Sequence, residues 1–219
     1  MPIDNLKKMI RLTTPKGFRN YLWRLTPKIH KVNTYRLQNP QEILNLKGID
    51  KKFTIIKVGN EYLPYLKKAY DTRGVNSFKN KVPGRLASKQ WVGLAVFDNE
   101  ENEIAYISWI VIENIPYFSE FGIQLKEGQY LLKDGYCVPK YRGMGLHTRM
   151  EQERINYCVR KGAIDIFIQI HNSNIKGVKS VLENNYKVHL KSTVIQWPAL
   201  NVYRNLRGFL INPFKRIIK

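Results

Sequence analysis

Cysteine is scarce in this chain: 219 residues contain only Cys137 and Cys158. Two thiols make neither a disulfide framework nor a metal cluster, so both are expected as buried small hydrophobes in a reducing compartment. Long apolar runs are missing as well. The longest, Tyr106 to Ile112, falls far below the ~18–20 residues needed to cross a bilayer. Residues Met1 to Lys8 lack the apolar core of a signal peptide, so a cytoplasmic protein is expected, at most peripheral at the inner face of the membrane. Histidine occurs four times, and no His, Cys and carboxylate residues share a metal-ligand spacing. No metal is expected, and no Ser/His/Asp arrangement stands out.

Acids are the scarcer charge. There are 17 Asp and Glu against 37 Lys and Arg, a net charge of +20. Such a chain must meet something anionic: nucleic acid, an acidic membrane surface or phosphorylated small molecules. The excess is uneven, with basic arms at both ends of a less biased middle. Eight basic residues and one acid, Asp4, lie between Met1 and Val32, and five basic residues and no acid lie between Arg204 and Lys219.

What is present argues for a folded α+β domain. Hydrophobic content is 43% and aromatic content 12%, and the length suits one well-packed domain. The spacing predicts strands at Phe53 to Val58, Trp91 to Phe97, Ile104 to Val111, Tyr130 to Val138, Ile164 to Ile170 and Val188 to Ile195. Helices are expected from Leu63 to about Gly74, from Leu146 to Arg160 with Gly162 as the stop, and from Asn174 to Asn184 with Val178, Val181 and Leu182 inward. Pro83 and Gly84 read as a loop. In the tail, Val202, Tyr203, Leu206, Phe209 and Leu210 fall at helical spacing until Pro213. Near the start, Thr14-Pro15 caps a helix carrying Phe18, Leu22 and Leu25, with Tyr21 and Trp23 beside arginines. That helix suits either a membrane interface or docking on the domain.

The most informative stretch is Val138-Pro-Lys-Tyr-Arg-Gly-Met-Gly-Leu-His147. It joins a strand to a helix through a glycine-containing turn. Such a turn aims several backbone N–H groups and the positive end of the helix dipole at one spot, which suits a diphosphate. A Cβ at Gly143 or Gly145 would block close approach, and Arg142 adds a charge that forks onto phosphate oxygens.

These elements and residues resemble a GCN5-related N-acetyltransferase (GNAT) domain from about Phe53 to Ile195. The hairpin from Trp91 to Val111 resembles that family's central strands. Val138-Pro139 with Arg142-x-x-Gly145 is similar to its Arg/Gln-x-x-Gly-x-Gly/Ala signature, and Asn174 followed by Asn185-Tyr186 is similar to its Asn…Gly-Phe. Three departures are visible: His147 replaces the final Gly or Ala, Asn185-Tyr186 replaces Gly-Phe, and Val181 stands where the family often has an acid tyrosine. Tyr106 to Trp109, Gly128 to Leu131 and the Arg-Gly-x-Gly-Leu-His run further resemble members found in bacterial surface-polysaccharide clusters.

The resemblance implies a mixed, mainly antiparallel sheet with helices on both faces and basic helical extensions at both ends. It implies three segments: a basic N-terminal extension (1–50), an acyl-CoA-binding catalytic domain (51–196) and a basic amphipathic tail (197–219). It implies an acyl-CoA-dependent N-acyltransferase, with acetyl-CoA the expected co-substrate. The acceptor would be a small amine such as a nucleotide- or lipid-linked amino sugar. Tyr136, Cys137, Val138, Arg142, Gly143, Met144, Gly145, Leu146, His147 and Asn174 would then hold the cofactor. Asn174 equally reads as a helix N-cap. Asp134 is a candidate base or a surface residue. His147 is a candidate phosphate contact or acid, or a packing residue, and His171 is a further candidate. The rival reading is a binding module without turnover, its charge serving nucleic acid or anionic membrane, with Tyr21 and Trp23 able to stack on bases.

Overall fold

Every residue of the run Glu103–Val111 is buried, which only a central strand covered on both faces can satisfy. A computed structural model describes residues 28–74, 77–112, 123–197, 202–205 and 210–211. The amphipathic segment around Thr14 to Leu25 lies outside them. In chain order the strands are β1 (Lys28–Gln38), β2 (Phe53–Val58), β3 (Trp91–Asp98), β4 (Glu103–Val111), β5 (Gln129–Cys137), β6 (Asp165–His171), β7 (Lys187–Trp197), β8 (Val202–Asn205) and β9 (Leu210–Ile211). The helices are α1 (Leu63–Asp71), α2 (Ser77–Ala87), α3 (Leu146–Arg160) and α4 (Ile175–Glu183). The strands form one sheet in the order β2-β3-β4-β5-β6-β1-β7-β8-β9. All pairings are antiparallel except β5 with β6. The mixed α+β class expected from the sequence is the class observed.

Local chemistry explains the main elements. The β3–β4 turn is tied by Asp98, whose Oδ1 accepts from the amides of Glu100 and Glu101 at 3.0 and 3.1 Å. Helix α1 starts on Pro64 and buries Leu66, Ala69 and Tyr70. It packs on β4. Helix α3 packs on β3, β4 and β5 and buries Leu146, Met150, Ile155 and Cys158. It closes in a Schellman motif: Gly162 N donates to Val159 O and Ala163 N to Cys158 O, at 2.9 and 3.0 Å.

Four expectations are corrected. Residues 77–87 are a helix, not a loop, although Pro83 lies inside it. Phe78, Val82 and Leu86 recur every fourth residue and pack into the core, Val82 without exposed surface. That burial outweighs the ~3 kcal/mol an interior proline costs. Residues 28–38, assigned above to a basic extension, form β1 in the middle of the sheet. Arg36 clamps it there with two bonds, at 2.7 and 2.9 Å, to the buried carboxylate of Asp165 on β6. The tail expected to be helical places Val202–Asn205 and Leu210–Ile211 in strands, because the outer edge of β7 offers backbone groups that a helix would leave unpaired. Finally, Leu182 is 52% exposed rather than inward, whereas Val181 is buried.

Candidate functional site

The parallel pair β5–β6 is joined only from Gln129↔Asp165 to Leu132↔Ile168. Beyond that point β5 continues to Cys137 and β6 to His171, so the two strands part at their C-terminal ends. A bulge marks the parting. On β4, Trp109 faces Lys133 and Ile107 faces Tyr136, so Asp134 and Gly135 together oppose Ser108. Asp134 takes the left-handed conformation that this requires, with φ 50°. A Cβ on Gly135 would overlap the Tyr106 hydroxyl, so only glycine fits there.

Strand alternation sets which groups face the gap. Val138 N donates to Ala105 O on β4 at 3.0 Å. The neighbouring peptide of Cys137 therefore turns its N–H and C=O away from β4, toward the opening beside β6. Cys137 is half-buried, not fully buried as expected, and burial raises its thiol above the ordinary value. Cys158 is fully buried and its thiol is raised by burial too.

After β5 the chain makes a 3-10 turn over Pro139–Tyr141 and enters the glycine turn. Gly143 and Gly145 both have positive φ, at 86° and 75°, which brings successive amides to one side. The Arg142 amide is used internally, donating to Pro139 O at 3.3 Å. Among the described residues, no hydrogen bond within the protein engages the amides of Gly143, Met144, Gly145, Leu146 or His147. Those donors lie at the N-terminus of the 15-residue α3, where the helix dipole is positive. Arg142, Gly143 and Met144 are exposed, and a Cβ on Gly143 would meet open space. Lys47, a residue the sequence reading missed, lays its side chain about 3.5 Å from the Cβ position of Gly145. Its loop is pinned to α3 by Lys47 N to Gln152 Oε1, 2.7 Å, and Arg149 Nη1 to Lys47 O, 2.9 Å.

Asn174 lies just past β6, across the gap from Cys137. Its side chain caps α4, accepting from Gly177 N at 3.1 Å. The alternative role as an N-cap is thus made, and the carboxamide nitrogen stays available to donate elsewhere.

His147 and Asp134 lie on opposite faces of the sheet. The His147 side chain is 52% exposed, but one ring edge reaches inward: Nδ1 is 2.8 Å from the Tyr106 hydroxyl and Nε2 is 3.7 Å from Glu151 Oε2. Burial, then the Arg154 guanidinium, lowers the imidazole below its ordinary value, so it is neutral at pH 7. Burial pushes the Tyr106 phenol up to about 12. With Tyr106 holding its proton, Nδ1 accepts and Nε2–H faces the carboxylate. Glu151 in turn receives Ser180 Oγ at 3.1 Å. Glu151 and Arg154 escaped the sequence reading, although His147, Glu151 and Arg154 form a polar row at helical spacing between buried Met150 and Ile155.

On the other face, Asp134 is ringed by cations. Arg85 bonds its Oδ2, Lys81 reaches it at 3.4 Å, and Arg73 reaches Oδ1 at 3.3 Å. Burial opposes ionisation, but Arg85, Lys81 and Arg73 outweigh it and hold the carboxyl well below the usual range. The group is therefore ionised and a weak proton acceptor. Arg85 stacks over Trp91 at 4.3 Å, and Arg73 lies over Tyr136 at 5.3 Å. Next to Arg73, Thr72 meets the Tyr136 hydroxyl at 2.8 Å and lines a cleft of about 420 Å³ with Lys68, Glu103, Val138 and Lys140. His171 ends β6 and is exposed. Among the described residues no group of His, Cys, Asp and Glu is placed to hold a metal, and no helix is long and apolar enough to cross a membrane.

One parallel pair that parts beside a bulge, followed by a glycine turn into a helix, finds its counterpart among solved structures. A GCN5-related N-acetyltransferase from Sphaerobacter thermophilus superposes with a TM-score of 0.58 over 88% of this chain and 57% of its own, at 10% identity. The fold is that of the GCN5-related N-acetyltransferases. A tandem GNAT protein of the clavulanic acid biosynthesis pathway matches with a TM-score of 0.59, 9% identity, and 81% and 54% of the two chains. An aminoglycoside acetyltransferase from an uncultured soil metagenomic sample, in complex with sisomicin, reaches 0.50 at 11% identity, over 64% of this chain and 93% of its own. The chain thus spans little more than half the length of the first two GNAT neighbours. No protein-family model matches it, and no curated protein matches it in sequence.

Proposed function

We propose that the protein is an acyl-CoA-dependent N-acyltransferase using acetyl-CoA and a small amine acceptor, such as an amino sugar carried on a nucleotide or lipid. The observation that carries this reading is the row of unengaged amides from Gly143 to His147, set beside the parted ends of β5 and β6. An acyl thioester supplies the carbonyl carbon at which a neutral amine replaces sulfur, leaving a free thiol and a proton.

The residues fit such a group. The amides of Gly143, Met144, Gly145, Leu146 and His147, with Arg142 and Lys47, receive its diphosphate. Tyr136, Cys137, Val138 and Asn174 line the gap for its linear arm. The Cys137 N–H polarises the carbonyl oxygen. His147 joins the diphosphate site through its amide while its ring, with Tyr106 and Glu151, props the bulge. Asp134 serves as counter-ion to three cations rather than as the base, so the amine sheds its proton to water. The aminoglycoside acetyltransferase neighbour favours a small polyamine or amino-sugar acceptor. The basic ends would keep a cytoplasmic enzyme near anionic lipid at the inner face of the membrane.

A binding module without turnover is the second reading, on the same scaffold, with nucleic acid or anionic membrane as its partner. It is favoured by Val181, buried in the core where an acid tyrosine would stand, and by the tethering of Asp134. Release of free thiol from acetyl-CoA, measured across a panel of amines, separates the two. The enzyme reading expects amine-dependent release that Arg142→Glu strongly reduces at low acetyl-CoA. Salt-sensitive binding to nucleic acid or anionic vesicles, with no thiol release for any amine, would replace it with the module.

A further inference from the structure

The cations around Asp134 do more than neutralise it. Arg73, Lys81 and Arg85 bring three positive charges to one carboxylate, and among the described residues no other carboxylate lies within ion-pair distance of them. The assembly carries a net charge of 3 − 1 = +2. Two of its donors have no acceptor among the described residues: Arg73 Nη1 and Arg85 Nη1 are buried without a hydrogen-bond partner there. Buried guanidinium nitrogens are rarely left so, and an anionic oxygen is the kind of acceptor that suits them. The stems are fixed in place. Arg85 sits in the corner between Trp91 and Trp109, and Arg73 lies over Tyr70 and Tyr136. The donors are thus held in position before any ligand arrives, which lowers the entropic cost of binding. Access remains, because Lys81 is 36% exposed and Arg73 26%.

The placement is as informative as the charge. Asp134 belongs to the bulge where β5 leaves β6 and stands three residues before Cys137, whose peptide faces the gap. Arg73 lies over the Tyr136 ring, whose hydroxyl meets Thr72, and Thr72 lines the cleft beside Val138. They lie on the α1–α2 face of the sheet, whereas the glycine turn leads into α3 on the other. An anion held here is therefore separate from the diphosphate at Gly143 to His147.

We propose that Arg73, Lys81 and Arg85 form an oxyanion subsite that receives a carboxylate or phosphate carried by the amine acceptor. This rests on the acyl-transfer reading for the word acceptor, but the binding itself does not. Asp134 keeps the three cations together when the subsite is empty and competes with the incoming anion.

Three amino sugars sharing one amine test the proposal: glucosamine, glucosamine 6-phosphate and muramic acid, which adds a carboxylate. Each is titrated into the full-length protein at fixed ionic strength, reading the tryptophan fluorescence that Trp91 and Trp109 report next to Arg85. At least one anionic sugar should bind about tenfold more tightly than glucosamine, the stronger of the two naming phosphate or carboxylate as the natural group. Lys81→Met should remove that advantage, Asp134→Asn should increase it, and Arg142→Glu should leave it unchanged. Equal affinity for all three sugars, or an unchanged advantage in Lys81→Met, overturns the subsite. Thiol release from acetyl-CoA is followed alongside. Anion-selective binding without release keeps the subsite and sinks the enzyme. Release that is indifferent to the anionic group and to Lys81→Met does the reverse.

Discussion

Arg142→Glu and Gly145→Val are each expected to weaken acetyl-CoA binding by about 30- to 100-fold, equivalent to ~2–3 kcal/mol. The two act through different physics. Arg142 is exposed at the turn, so its replacement leaves the fold alone and sets a negative charge against the diphosphate. Gly145 has φ 75°, which a β-branched residue resists by about 1–3 kcal/mol, and its Cβ would press toward Lys47. The turn must then re-form with its amides no longer convergent. Isothermal titration with acetyl-CoA checks both variants. Unchanged affinity in both would mean that the turn is only a connector.

Trp109→Ala is expected to cost about 3–5 kcal/mol of stability. Trp109 is fully buried in β4, and its Nε1 donates to the buried Tyr70 hydroxyl at 2.8 Å. It also backs the Arg85 guanidinium at 5.2 Å. One deletion thus opens a core cavity, strips a buried hydroxyl of its donor and loosens the cation group around Asp134. Trp109→Phe separates these effects. It keeps most of the packing and loses the bond to Tyr70, for about 1–3 kcal/mol. Urea unfolding of both variants gives the comparison, and equal losses would show that the hydrogen bond, not the volume, dominates.

How much of this was legible in the chain differs by element. The glycine turn was plain, because strand, Val-Pro, Arg-Gly-x-Gly and helix appear in one contiguous run. Helix α3 matches its expected bounds, Leu146 to Arg160, since a 3.6-residue apolar period and a terminal glycine agree. Strand β1 was hidden. Its eleven residues carry few large apolar side chains, and its place depends on Arg36 meeting Asp165 from 129 residues away. Helix α2 was hidden by Pro83 and Gly84, local signals that Val82 and its neighbours override through burial. The cations fared likewise. Arg73, Lys81 and Arg85 look like ordinary surface residues until the left-handed turn at Asp134 gathers them, and nothing local marks Lys47 as a neighbour of Gly145. Residue-level chemistry that comes from one segment can be read in sequence; chemistry assembled from three needs coordinates.

The central claim is that the amides following Arg142 converge on a diphosphate, and amide NMR tests it most directly. Titration of coenzyme A into the uniformly 15N-labelled protein should shift the signals of Gly143, Met144, Gly145, Leu146 and His147 most, in a saturable manner, with Cys137 and Asn174 following. Saturation with the largest shifts elsewhere, or no shift of the five at millimolar coenzyme A, would contradict it.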